Sequence, residues 1–182
     1  MEDAFQIVTY PHADTPDTDL RPFCEAEAQK AHDFHASFSI YQPTPLVKLP
    51  GLARALGVRE VRVKDESYRF GLNAFKVLGG SYAIGRYIAQ KLGEDIAAMP
   101  ASRILSKEVR EKLGSLTFIT ATDGNHGRGV AWTAHQLGCH CVVYMPKGSA
   151  QERLHNIQAL GADASITDLN YDEAVRLANR QA

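Results

Sequence analysis

Read for the spacing of apolar residues, the second half of the chain alternates between two periods. Leu116 to Ala121 reads as a strand, and Gly127 to Leu137 as a helix closed at Gly138. His140 to Met145 is an apolar strand, Ser149 to Leu160 a helix closed at Gly161, Ala164 to Thr167 a strand, and Tyr171 begins another helix. Strands alternating with helices of about ten residues imply βαβ units and a parallel sheet with right-handed crossovers. The expected fold class is therefore α/β.

The first half is less regular. Residues 1–18 are rich in Pro, Asp, Thr and His without a period, which reads as an extended arm. A helix is expected after Asp19 as N-cap, with Pro22 in its first turn and Phe23, Ala31, Phe34 and Phe38 near helical spacing. His32 and His35 lie on that helix with no acidic or cysteine partner to complete a metal site, so they read as a solvated or interfacial pair. Pro43-Thr-Pro45 enforces an extended passage. Leu52 to Leu56 is a short helix closed by Gly57, and Val58 to Lys64 alternates as a strand. A helix from about Lys76 to Leu92 places Leu78, Tyr82, Ile88 and Leu92 on one face, and Ser102 to Leu113 is one further helix.

Composition narrows the function classes. Of 182 residues 45% are apolar and 23% charged, with a net charge of -1. That balance argues against a general nucleic-acid or anionic-membrane surface. No apolar run approaches the ~18 residues of a membrane span. The first residues lack the basic and apolar regions of a secretory signal, so a cytoplasmic location is expected. Cys24, Cys139 and Cys141 read as small core residues, because Cys139-His140-Cys141 lacks the ligand spacing of a zinc site.

Two stretches carry candidate chemistry. In Asn73-Ala-Phe-Lys76, the lysine is crowded by Ala74, Phe75, Val77 and Leu78. Burial there would favour the neutral amine that Schiff-base chemistry needs. The alternative is a solvated lysine on an amphipathic helix. The second stretch, Thr120-Ala-Thr-Asp123-Gly-Asn125-His-Gly127-Arg-Gly129, lies where a strand hands over to a helix, the edge at which open parallel sheets bind ligands. Its glycines would let backbone approach a ligand closely. Asp123 is either a reacting carboxylate or a helix-capping one. Asp65 and Glu66 either brace the lysine segment, line the site or lie at a solvated strand end. His126 reads as an acid/base or a loop-orienting group, Arg128 and Arg153 as ion-pair residues, Ser149 as an N-cap, and Trp132 as core.

Together, Asn-Ala-Phe-Lys76 and Asp-Gly-Asn125-His resemble the fold-type II pyridoxal-phosphate enzymes, which include the serine and threonine dehydratases and the tryptophan synthase β-subunit. Asp123 stands where the dehydratases carry Ser. The Asp-Gly-Asn-His-Gly-Arg-Gly-Val-Ala-Trp132 run is similar to the 2,3-diaminopropionate ammonia-lyases. So are Lys64-Asp-Glu-Ser, Arg69-Phe-Gly-Leu-Asn-Ala-Phe-Lys76, Tyr144-Met-Pro-Lys-Gly-Ser-Ala-Gln-Glu-Arg153 and Thr167-Asp-Leu-Asn-Tyr-Asp172, a likeness spanning roughly residues 35 to 178.

The resemblance implies a tryptophan synthase β-like fold of parallel sheets with flanking helices. Residues 1–81 would form the arm and the first part of a large cofactor domain, and 82–178 a small mobile domain. It implies pyridoxal 5'-phosphate as cofactor, Lys76 and Asn125 as cofactor-binding residues, Lys76 and Asp123 as catalytic residues, and no metal. The implied reaction converts D- or L-2,3-diaminopropionate to pyruvate and ammonia in a homodimer. The phosphate cup and a second catalytic aspartate would follow the last residue of this chain. A chain truncated there is expected to bind cofactor poorly and turn over little alone. The other readings are a dehydratase-like lyase and a non-catalytic α/β fragment or oligomerisation module. A nucleotide-binding Rossmann domain is disfavoured, since no Gly-x-Gly-x-x-Gly opens the alternation.

Overall fold

A computed structural model describes residues 19–182, so the arm expected over residues 1–18 lies outside the described part. Its centre is a parallel sheet of β3 (Thr117–Ala121), β4 (His140–Met145) and β5 (Asp163–Ile166), in that order. β3 pairs with β4 from Thr117 opposite His140, and β4 with β5 from Val142 opposite Asp163. The crossovers are α6 (Asn125–Leu137) and α7 (Gln151–Gln158), and α8 (Tyr171–Gln181) follows β5. The expected parallel alternation is present, with each boundary within one residue except those of α7 and the start of α6, which differ by two.

Alternation along β4 divides its side chains between two layers. Cys141, Val143 and Met145 join the main core, which also holds residues of α3 (Lys76–Lys91) and α6. Tyr144 faces the other way, beside Ala121, Ala174 and Ala178, where α8 packs on the sheet. α8 starts on a capping box in which Asn170 accepts from the Glu173 amide and Glu173 accepts from the Asn170 amide.

Several local expectations are corrected. Asp19 caps only a short turn at Arg21–Phe23, where Phe23 is exposed; the helix proper, α1, is Glu25–Ala36. The single helix expected over 102–113 is two, α4 (Ala101–Ile104) and α5 (Lys107–Leu113). Ser106 breaks it by accepting from the Val109 amide as the N-cap of α5. Ser149 does not cap α7; its hydroxyl donates to the Pro146 carbonyl instead. Cys24 is exposed, whereas Cys139 is half-buried and Cys141 buried. Burial pushes the Cys141 thiol up to about 12.

The strand expected over 58–64 is only β2 (Arg62–Lys64). It pairs antiparallel with β1 (Leu46–Lys48), which the apolar pattern did not reveal, and both are exposed along their length. Between them lies α2 (Pro50–Leu56), stopped by Gly57 at φ 65°. On α3 the fully buried face is Val77, Ser81 and Ile88, while Leu78, Tyr82 and Leu92 are only partly covered. α3 runs unbroken across the expected division after residue 81.

His32 and His35 are not an equivalent pair. His32 is exposed beside Asp33. His35 is buried, and its Nε2 donates to the Leu78 carbonyl (2.9 Å) and lies 3.1 Å from Ser81 Oγ. Burial pushes its imidazole below the ordinary value. α1 is thereby tied to the first turn of α3. No helix of the described residues is long and apolar enough to cross a membrane.

Candidate active site

Lys76 is the first residue of α3 and Asn125 the first of α6. The two helices pack where Gly129 meets the start of α3. A Cβ on Gly129 would lie 2.8 Å from Val77 Cα and 3.4 Å from the Lys76 carbonyl carbon, so only glycine allows this approach. Gly129 is four residues into α6 from Asn125, about 6 Å along the axis. Both helix starts therefore open on the same region, at the carboxyl end of β3. The Lys76 ammonium is near enough to His126, the second residue of α6, to reinforce burial in pushing that imidazole below its ordinary value.

The turn into α6 is fixed locally. Thr122, fully buried, donates its amide to the Tyr144 carbonyl (3.0 Å), anchoring the turn to β4. Its hydroxyl accepts from the amides of Gly124 (3.0 Å) and Gly127 (3.2 Å). A Cβ on Gly127 would come within 2.3 Å of Thr122 Cγ2, so Gly127, like Gly129, is required for packing rather than for ligand approach. The capping role considered for Asp123 belongs to Thr122. A hydroxyl residue at a strand end, ahead of a helix, was the signal that could have found it. Asp123 is exposed, and Arg153 of α7 donates to its carbonyl (3.0 Å) with the carboxylate 3.8 Å away. Arg153 is thus the expected ion-pair residue. Arg128 has no ion pair among the described residues, and its Nε is buried without an acceptor there.

The approach to Lys76 is fixed from a distance. Asp65 accepts from the Ser67 amide and hydroxyl, at 3.0 and 2.6 Å. Glu66 takes a two-pronged bond from Arg69, Nε to Oε2 at 2.7 Å and Nη2 to Oε1 at 2.9 Å. Thr44 donates its hydroxyl to Glu66 and accepts from Arg69, and the Gln42 carbonyl accepts a further Arg69 bond. The guanidinium lies 5.6 Å from the centre of the Tyr41 ring. Arg69 holds the Glu66 carboxyl below its usual range. Of the roles open to Glu66, the brace is the one its contacts fill. Phe70 and Asn73 then adopt positive φ, 49° and 56°, which non-glycine residues rarely do. Phe70 is buried and stacks on Trp132 at 5.1 Å and 14°, joining the segment to α6.

One expectation about Lys76 fails. Its side chain is exposed, as is Phe75 before it, because the apolar neighbours Val77 and Leu78 turn inward while Lys76 stays on the outer end of the helix. Accessibility, not burial, characterises this amine. Neither Lys76 nor Asn125 has a side-chain hydrogen bond among the described residues. A free primary amine and a free amide at adjacent helix starts fit a carbonyl-bearing ring with an oxygen substituent. Among the described residues no cluster of His, Cys, Asp or Glu could hold a metal.

Residues 38–182 match the family described as "Pyridoxal-phosphate dependent enzyme", and the chain belongs to that family. Its cofactor is pyridoxal 5'-phosphate, and its fold is that of the fold-type II members. Among individual proteins, it is 56% identical over 149 residues to the diaminopropionate ammonia-lyase of Salmonella typhimurium, covering 82% of this chain and 37% of that one. The crystal structure of the apo diaminopropionate ammonia-lyase of Escherichia coli superposes with a TM-score of 0.82 at 49% identity, over 89% of this chain and 43% of that one. A second structure of the Escherichia coli enzyme, "in complex with aminoacrylate-PLP azomethine reaction intermediate", gives 0.79 at 49% identity, over 89% and 39%. The chain thus spans about two fifths of the length of the relatives it matches.

Proposed function

We propose that this chain supplies the lysine and ring-oxygen contacts of a pyridoxal-phosphate lyase that eliminates ammonia from 2,3-diaminopropionate, giving pyruvate and ammonia. One observation supports this reading: Lys76 and Asn125 are the first residues of two helices whose backbones meet at Gly129 and Val77, and both side chains are exposed. When bound, the cofactor supplies an electron sink for the bond broken at the substrate's Cα.

The residues divide the remaining work. Lys76 Nζ would hold the cofactor's carbonyl carbon and, once displaced by the substrate's α-amine, exchange a proton at Cα. Asn125 would donate its amide to the ring oxygen. The Asp123 carboxylate would pair with the β-ammonium of the substrate or take the Cα proton from the face opposite Lys76. A base on each face would admit both D- and L-substrates. The exposed carboxylate, only loosely approached by Arg153, leaves Asp123 available for that exchange.

The same reading includes a cytoplasmic homodimer and a division into residues 1–81 and 82–178, with α3 shared between the two parts. It also holds that this chain alone turns over little, since it spans about two fifths of the length of those ammonia-lyases.

The test is to incubate the chain with pyridoxal phosphate, reduce with borohydride and map the adduct by peptide mass spectrometry. Label concentrated on Lys76 is expected, and label scattered over surface lysines would overturn the cofactor reading. In a protein extended to the length of the relatives, turnover of diaminopropionate but not threonine is expected. The reverse preference would make it a dehydratase.

A further inference from the structure

The side chain of Lys76 is exposed, yet the backbone that delivers it follows an improbable path. Between Asp65 and Lys76 the chain makes a short helical turn, breaks out at Arg69 (φ -67°, ψ 109°), and then takes positive φ at Phe70 and Asn73. Such conformations are sparsely populated and persist only where surrounding contacts over-determine them. The contacts that do so converge on one side chain. Arg69 is 6% exposed and makes four hydrogen bonds, to both Glu66 oxygens, to Thr44 and to the Gln42 carbonyl. Lys64 adds a bond from Nζ to the Thr44 carbonyl at 2.6 Å. The network thus clamps the 42–44 segment and the 64–69 segment together, immediately before the two strained residues.

We propose that Arg69, with Glu66 and Thr44, is the positioning device for Lys76: it fixes the segment that aims the amine at the start of α6 without touching the reacting atoms. The cofactor half of this inference rests on the function proposed above. The geometric half does not. Arg69 is suited to the task because a planar fork satisfies both carboxylate oxygens while its remaining donors reach other partners, which an ammonium cannot reproduce. A lysine would preserve the charge and lose the orientation.

Two readouts on the chain test it. The first is the ratio of reduced pyridoxal-phosphate adduct at Lys76 to that at Lys107, whose side chain is 90% exposed and serves as an internal standard. In Arg69→Lys and Glu66→Gln, both checked by circular dichroism to be folded, the ratio is expected to fall about 10- to 100-fold, the usual consequence of misplacing a reacting group. The second is amide hydrogen exchange over residues 70–77, expected to rise in the same variants while exchange in β3 and β4 stays unchanged. A folded Arg69→Lys protein with wild-type ratio and wild-type exchange overturns the proposal, as does one whose melting temperature drops while both local readouts hold.

If Arg69 variants do not fold, Thr44→Val carries the same test, because it removes only the hydroxyl shared between Glu66 and Arg69. A smaller loss in both readouts is then expected, and none would again overturn the idea. Absence of any preference for Lys76 in the unaltered chain would refute the cofactor reading alone, leaving the exchange experiment to decide the positioning role.

Discussion

α3 and α6 begin side by side, yet their first turns are held by opposite means. The start of α6 is organised within six residues: Thr122 binds the amides of Gly124 and Gly127 and ties the turn to β4. The start of α3 is organised by residues far away in sequence. Arg69 reaches Thr44 and Gln42, Phe70 reaches Trp132, Leu78 is bound by His35, and Val77 rests on Gly129. A locally built turn survives changes elsewhere. One assembled from distant parts reports on the integrity of the whole core, so the helix start that carries Lys76 is the more vulnerable of the two.

The sharpest way to break that contrast is Trp132→Ala. Removing the ring on which Phe70 stacks leaves a cavity between the Lys76 segment and α6 and is expected to destabilise by about 3–5 kcal/mol. Urea denaturation gives that number, and amide exchange is expected to quicken over 66–77 more than over 121–127. Equal quickening in both segments would erase the distinction. Gly129→Ala comes next, since its methyl has to enter backbone 2.8 Å away; about 1–3 kcal/mol is expected, together with weaker pyridoxal-phosphate labelling at Lys76.

Thr122→Val isolates the local side. It keeps the shape, leaves two amides without their acceptor, and should cost about 0.5–2 kcal/mol, with the exchange increase confined to residues 123–128. The smallest effect is a pH dependence on the α3 side. The His35 imidazole is lowered by burial, so its contribution to stability is complete above its unfolded value of 6.5 and is lost as pH falls through the lower folded value. Denaturation midpoints that drop over this window in the unaltered chain, and drop less in His35→Gln, where the lowered His126 remains, are the expected result. A similar loss tied to Glu66 follows at more acid pH, beginning near its ordinary value of 4.5.

The same contrast explains what could be read from the sequence. β3 to α8 was legible because the elements declare themselves through local periodicity, with Gly138 at φ 69° and Gly161 at φ 83° closing the two crossovers. Lys76, Asp123 and Asn125 were picked out from their motifs; Lys76 and Asn125 are the first residues of α3 and α6. What failed depended on tertiary contact. β1 escaped notice because three exposed residues in a ribbon leave no hydrophobic pattern. Lys76 was expected in an apolar setting because its neighbours in sequence are apolar, whereas a helix sends residues 76 and 77 in different directions. The glycines of the α6 turn were read as making room for a ligand, and Gly127 and Gly129 instead make room for Thr122 and Val77. Ser106 split a helix that propensity alone would have continued.

The contact between Gly129 and Val77 has a consequence for redesign. It sets the spacing of the two helix starts through main-chain atoms, independently of the side chains at positions 76 and 125. Those two positions can therefore be re-equipped one at a time, by a different nucleophile or a different donor, without either choice shifting the other. The frame behaves as a fixed vice with interchangeable jaws. Its tolerance for new chemistry ends at Gly129, where a side chain would enter the backbone of α3.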